Sequence, residues 1–482
     1  MLERIGVVSL GRVGREIIKA VIKVSGKIGC EELWFYSRDQ DKIRTFKEQL
    51  EMKGFCNNVS IVGTANLDEL KRNTSLVFIT SKASKPDSKL EQLIEERRAD
   101  EPHIINDPRI EELPYTLPIF IDLGQRFRDY HGWIGIVSNP IDILVYIFAL
   151  YSKSNKVFGC SHFDYFRANY FYENEFSQIL EKDLGILDLK KQSEVYVVGP
   201  HRSDKTVIVS HKHFYVPNPD NIERVYRITG GIPISAYIAE RCREHVDDVF
   251  KHGLDISEEV GPCFEDFLGR LSRGDIVEIS VPVKSSEYFM PPNYNALWRE
   301  LTEGNERPGA SGWIFTFDKN SFKMVTPIHL TPLEVERFIH GYQNTTHIIE
   351  LLEDDGFLER GNIEEFPLGG RIISFPDDLE TTIDECRIFP THQISQEKLN
   401  PLYRAIVYLT LIISTLFGVG FLVSEQIAKN ESARTTHEKL IARLIEYAEW
   451  KVPEYKKIEE YKNKLHQFNP VSYTHLTLPT KA

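Results

Sequence analysis

The sequence predicts an α/β chain. A parallel sheet covered by helices comes first, then an α+β domain, an apolar helix and an amphipathic helical tail. Three observations carry this. Short, continuously apolar strand-like runs alternate with helical patterns through residues 1–158. A glycine-bearing turn joins the first run to the first helix. Farther on the alternation breaks down, and residues 405–423, "AIVYLTLIISTLFGVGFLV", run nineteen positions without a charge.

The opening "RIGVVSLGRVGREIIKAVIK" reads as strand, turn and helix, with Val13, Ile17, Ile18, Val21 and Ile22 on one helical face. Further strand-like runs are "ELWFYSR", "VSIVG" (59–63), "SLVFITS" (75–81), "LPIFIDL" (117–123) and "WIGIVSN" (133–139). Apolar strands separated by helices imply a parallel sheet buried on both faces. Segment 91–130 exceeds a simple crossover and reads as an inserted, exposed lobe. After the helical "NPIDILVYIFALYS", a helix fits 164–182, strands fit 194–199 and 205–210, and "GGIPISAYIAERCREHVDDVFKHG" gives a turn and a long helix. "GDIVEISVPV" (274–283) is a strand, and "GWIFTFDKNSFKMVTPIHL" is a hairpin turning around Asp318–Ser321. Thr331 as N-cap, Pro332 at N1 and Glu334 at N3 announce the helix that follows.

These patterns divide the chain into a nucleotide-binding domain (1–158), a second domain (159–352), and an acidic linker or small subdomain (353–401). At about 1.5 Å per residue the apolar run approaches the thickness of a bilayer core, so 402–424 reads as a transmembrane helix. Residues 425–469 form the helical tail. The end, "PVSYTHLTLPTKA" (470–482), resembles a translated sequencing adapter and is set aside from fold reasoning.

Bulk properties narrow the function. With 41% hydrophobic and 27% charged residues, the 482-residue chain has the composition of a soluble globular protein. A net charge of −13 argues against a general nucleic-acid binder. The six cysteines are scattered with no CxxC pair, as expected of free thiols in a reducing compartment. The chain opens as a strand rather than as a signal peptide, so the front of the protein is expected in the cytoplasm.

The turn Ser9-Leu10-Gly11-Arg12-Val13-Gly14 carries the second and third glycines of GxGxxG, with Ser9 in the place of the first. A strand–turn–helix of this Rossmann type can rest a pyrophosphate on the N–H groups and positive dipole end of the helix. At the end of the second strand stand Ser37 and Arg38. A guanidinium suits a 2′-phosphate, which favours NADP over NAD.

The glycine turn, "SLVFITS", "IGIVSNPIDIL", "GCSHFDYFR", "VYVVGPHRSD" and "GGIPIS" follow one another as in the lactate and malate dehydrogenases, and residues 1–352 resemble that family. The resemblance implies its α+β C-terminal domain, a homodimer or homotetramer, and a role for each of several residues. His201 would exchange the proton of the substrate hydroxyl, and Asp164 would hold its ring. Arg167 would clamp the substrate carboxylate. Asn139 would contact substrate or nicotinamide, and Thr80 would join Ser9, Gly11, Arg12, Val13 and Gly14 around the dinucleotide. The chemistry is coherent without the family. Oxidising a 2-hydroxy acid to the 2-oxo acid needs a base, a cation for the carboxylate and a hydride acceptor.

Departures accompany the resemblance. On the loop "TSKASKPDSKLEQ", Ser84 stands at the position of the substrate-selecting Arg, and Lys89 at that of the carbonyl-polarising Arg. Lys keeps the charge and loses the planar fork. Pro200 and Arg202 replace the usual neighbours of the histidine. The rival reading is a dinucleotide-binding sensor or scaffold on a membrane, impaired in turnover.

Overall fold

The computed structural model describes residues 2–54, 59–101, 107, 109–176, 193–201, 206–211, 234–252, 257–290, 295–304, 306–318, 321–327 and 332–374. The expected N-cap Thr331, the transmembrane helix 402–424, the tail 425–469 and the terminus 470–482 lie outside them. Among the described residues no helix is long and apolar enough to cross a membrane.

The first half alternates strand and helix. Its elements are β1 (Arg4–Val8), α1 (Arg12–Ile28), β2 (Glu32–Tyr36), α2 (Gln40–Met52), β3 (Ser60–Thr64), α3 (Leu67–Asn73), β4 (Leu76–Ile79), α4 (Ser88–Asp100), α5 (Leu113–Arg126), β5 (Trp133–Ile136), α6 (Ile141–Ser152) and β6 (Val157–Gly159). The starts of α2, α3 and α4 are capped by the side chains of Asp39, Asn66 and Asp87, each accepting a backbone N–H of the first turn. The second half holds α7 (His162–Phe171), β7 (Ser193–Val198), β8 (Thr206–His211), α8 (Ile234–His252), α9 (Ser257–Arg273), β9 (Val277–Val283), α10 (Asn295–Thr302), β10 (Gly309–Asp318), β11 (Ser321–Pro327), α11 (Pro332–Asp354) and β12 (Leu368–Ser374).

Among the described residues one ten-stranded sheet runs through both halves, in the order β12-β11-β10-β9-β6-β5-β4-β1-β2-β3. The six strands from β6 to β3 are parallel, and their order reverses between β1 and β4. That reversal is the point where open α/β sheets bind ligands. The sheet turns antiparallel where β6 meets β9, with Gly159 opposite Ser280. Strands β7 and β8 form a separate antiparallel pair. Alternate side chains feed two cores. Ile5, Val7 and Phe78 pack with α1 and α9, whereas Val8, Val77, Ile79, Ile134 and Ile136 pack with α5 and α6.

Two expectations need correction. "LPIFIDL" is no strand; it lies within α5. Leu113, Leu117, Phe120 and Leu123 recur at helical spacing and are buried, so this part of segment 91–130 is core rather than an exposed lobe. Pro118 hid the helix from the sequence pattern. A mid-helix proline leaves the carbonyl four residues back without its N–H. Here that carbonyl, Pro114 O, accepts from the backbone N–H of Asp87 at 2.9 Å, so the defect is repaired from outside the helix. The second correction concerns the linker. Leu358, Ile363 and Phe366 are buried, and β12 pairs parallel with β11, so residues 358–374 belong to the sheet domain.

Phe120→Ala tests the first correction. Truncating a fully buried phenylalanine costs about 3–5 kcal/mol, read by urea unfolding. A change within about 0.5 kcal/mol is what a surface lobe would give.

Candidate functional site

The chain leaves the same edge of the parallel sheet after β1, β4, β5 and β6; Ser9, Thr80 and Asn139 lie on the first three loops and Asp164 in the first turn of α7, which follows β6. The turn after β1 keeps the geometry of a glycine turn although its first glycine is absent. Ser9 adopts φ 89°, a region that favours glycine, and its N–H bonds to Tyr36 O at 3.0 Å. A Cβ on Gly14 would sit 2.2 Å from Ser9 O and 2.8 Å from Thr80 Oγ1, so α1 approaches the turn as only glycine allows. Thr80 Oγ1 donates to Val8 O at 3.1 Å, tying β4 to β1 at the reversal. Gly11 is open: the nearest atom to a Cβ there would be Ser9 Oγ at 3.8 Å. Gly11 also begins α1, whose start has no side-chain cap and no acidic residue in its first turn. The N–H groups of Arg12, Val13 and Gly14 belong to that first turn, which fits a pyrophosphate.

The edge of β2 is arranged differently from an NAD-type acidic site. Asp39 is engaged as the cap of α2 through the Lys42 N–H at 3.1 Å, and its own N–H donates to Ser37 Oγ at 3.2 Å. Arg38 is exposed between them.

The second group forms around Asp164 on α7. Its Oδ2 lies 2.7 Å from Nδ1 of His201, and both residues are buried. A buried carboxylate at Nδ1 fixes that nitrogen as the proton-bearing one, which in the neutral ring leaves Nε2 as the acceptor. Arg167 lies one turn along the helix, its Nη1 3.6 Å from Asp164 Oδ1. Its Nε and Nη2 reach Glu259 Oε2 at 3.0 and 2.9 Å, and Glu259 Oε1 takes Nε2 of His245 at 2.7 Å. Burial works against the Arg167 charge, but Glu259 and Asp164 outweigh it and hold the guanidinium above its ordinary value. Burial likewise opposes the Glu259 anion, and Arg167 and His245 outweigh it, leaving its carboxyl below the usual range.

Asp164, Arg167 and His201 are thus brought together. Asn139 stands at the cis peptide Asn139–Pro140, with its carbonyl accepting from Thr116 Oγ1 at 3.1 Å. Lys89 and Ser84 are exposed, and among the described residues no hydrogen bond or ion pair joins either side chain to Arg167, to Asp164 or to His201; the Lys89 N–H donates to Asp87 Oδ1 at 3.0 Å instead. Arg202 lies outside the described residues.

The sequence did not single out Asp142, Ser280, Glu259 or His245. Asp142 has the clearest role. Its Oδ2 accepts the backbone N–H of His201 at 2.6 Å, and its Oδ1 accepts the Ser280 hydroxyl at 2.6 Å. Two residues before His201, Gly199 exchanges both backbone hydrogen bonds with Gly312 of β10, at 2.9 and 3.0 Å. Neither glycine tolerates replacement easily: Gly199 has φ 99°, and a Cβ on Gly312 would meet Gly199 O at 2.6 Å. The histidine is therefore fixed by backbone on one side and by two carboxylates on the other. One signal for Asp142 was available: an acid inside an otherwise apolar helical run is tolerated only with partners.

No protein-family sequence model and no curated sequence matches the chain. Solved structures do. A malate dehydrogenase from Naegleria fowleri aligns at 12% identity over 73% of this chain and 96% of its own, with a TM-score of 0.51. A lactate dehydrogenase from a Medee basin deep-sea metagenome library aligns at 18% identity over 73% and 98%, with a TM-score of 0.49. A Cryptosporidium parvum malate dehydrogenase aligns at 16% identity over 73% and 100%, with a TM-score of 0.47. The first of these likenesses shows that the chain has a malate dehydrogenase-like fold.

Burial pushes Asp142 up to about 7, against the hydrogen bonds from Ser280 and His201. A folded value above the ordinary 3.8 means that ionising Asp142 opposes folding. The stability linked to its protonated form is full below 3.8 and is lost as the pH rises to about 7. Asp142→Asn removes that slope. In thermal unfolding, the variant should gain on the natural protein as pH rises through this window, and parallel curves would refute the assignment.

Proposed function

We propose that the protein is a nicotinamide-dinucleotide-dependent dehydrogenase interconverting a 2-hydroxy acid and its 2-oxo acid. The observation that carries the proposal is the buried His201–Asp164 pair at 2.7 Å with Arg167 on the next turn of α7. Residues 1–158 would hold the dinucleotide and residues 159–352 the substrate. The dinucleotide, when bound, supplies the hydride acceptor. Its pyrophosphate would rest on the first turn of α1, against Gly11, Arg12 and Val13, with Ser9 and Gly14 shaping the turn. Asp39, engaged as the cap of α2, beside Ser37 and the exposed Arg38 supports NADP over NAD.

The chain's own residues handle the rest of the chemistry. In the oxidative direction Nε2 of His201 takes the hydroxyl proton, and the Asp164 carboxylate stabilises the resulting imidazolium. In reduction the same ring returns the proton to the carbonyl oxygen. Arg167 orients the acid by its carboxylate, fixing the carbon that exchanges hydride. Asn139, at the end of β5, would contact substrate or nicotinamide. The same proposal has the chain acting as a homodimer or homotetramer, with a cytoplasmic catalytic region anchored through 402–424, where the uncharged run of nineteen residues is the support.

A second reading, a dinucleotide-binding protein without turnover, draws on the exposed Ser84 and Lys89. One experiment separates the two. The full chain is assayed for NADH and NADPH oxidation against a panel of 2-oxo acids, with dinucleotide binding followed by fluorescence. Turnover with at least one acid is expected; binding without turnover would favour the second reading.

Within the enzyme reading, His201→Asn should lower turnover by about 10²–10⁴-fold while leaving dinucleotide affinity unchanged. An undiminished rate would remove His201 from its role.

A further inference from the structure

Arg167 is not waiting for a ligand. Its Nε–Nη2 edge, the side of a guanidinium that grips a carboxylate, already holds one: Glu259 Oε2 at 3.0 and 2.9 Å. Asp164 lies 3.6 Å from the third nitrogen. One buried cation therefore faces two carboxylates of the chain itself. A third carboxylate, from an acid substrate, would add negative charge where it is least screened.

One of the two resident carboxylates must yield. Asp164 is fully buried and committed to His201, whereas the Glu259 side chain is 27% exposed. Glu259 is the third residue of α9 and projects from a different element, 92 positions from Arg167 in sequence. Its Oε1 is held by His245, whose side chain is 38% exposed. A change of side-chain rotamer frees the clamp without moving a helix, since His245 offers Glu259 a second partner nearer solvent.

We propose that Glu259 is an internal competitor for the carboxylate clamp, a specificity-determining residue that sets how tightly the site takes a small 2-oxo acid. This rests on Arg167 being the carboxylate-binding group of the proposed reaction. An acid enters by exchanging its carboxylate for that of Glu259, so the charge around Arg167 is the same before and after. Acids that grip the guanidinium with both oxygens outcompete Glu259, which offers it one.

The test is calorimetric titration of the full chain with pyruvate, with and without NADH or NADPH. Glu259→Gln keeps the shape and removes the competing charge, so it should bind pyruvate at least about tenfold more tightly than the natural protein. Adding Arg167→Lys to that variant should erase the gain. Equal or weaker binding by Glu259→Gln, or no binding by either protein, overturns the proposal, since a merely structural Glu259 gives loss and not gain. Dinucleotide binding and turnover are recorded on the same samples. If the natural protein turns over and Glu259→Gln shows no gain, this inference alone fails. If no dinucleotide binds but the gain appears, the dehydrogenase reading fails and the competition stands. Should Glu259→Gln fold poorly, Glu259→Ala is followed by thermal unfolding in sodium formate against sodium chloride at equal ionic strength. Formate should raise its midpoint more than that of the natural protein, and an equal shift is again contrary.

Discussion

The Asp142 carboxylate ties the two halves of the structure to the group that would do the chemistry. It lies in α6, where every residue is buried, and a bare carboxylate there would be untenable. One oxygen accepts from Ser280 on β9, where the sheet turns antiparallel. The other accepts from the backbone of His201. Hydrophobic side chains could fill the same volume at less cost to stability. They could not hold the His201 amide. The Gly199–Gly312 bridge fixes the approach of that segment and Asp142 fixes its end, so the imidazole meets Asp164 with little freedom left. Preorganisation of this kind lets a general base act without reorganising.

What the sequence revealed follows from how local each signal is. Strands β1, β2, β4 and β5 were visible because each is an apolar run buried along nearly its whole length and bounded by turn or cap residues. The glycine turn after β1 was visible despite Ser9, because the strand–turn–helix context survives the loss of one glycine. Helix α5 was hidden because Pro118 and a dense apolar stretch imitate a strand, and its repair by the Asp87 N–H comes from another segment. Strand β12 was hidden because its sequence, "LGGRIIS", is short and glycine-broken; its register comes from β11.

The site shows the same division. Asp164 and Arg167 sit three positions apart on one helix, a spacing that brings side chains together. His201 needed a resemblance to be joined to them. Glu259 and His245 had no local pattern at all, since Glu259 meets Arg167 across 92 residues. Asp142 lay inside the quoted "NPIDIL", where a lone acid among apolar neighbours marks a buried polar contact without saying to what.

Asp164 also makes the proposed clamp, Arg167, and the proposed base, His201, one electrostatic unit. Its Oδ2 faces the His201 ring and its Oδ1 faces Arg167, so the charge on either side is felt on the other. If the clamp were simply vacated, Arg167 would draw more strongly on Asp164, and the imidazolium would lose part of its counter-charge. Exchange of one carboxylate for another avoids this. Whichever carboxylate holds Arg167, Asp164 keeps the same neighbour and His201 the same field. The resident Glu259 thus shares with Asp164 the compensation of a buried guanidinium when no acid is bound. In the proposed site, the contact that would compete with an acid also keeps Arg167 compensated and Asp164 in register with His201.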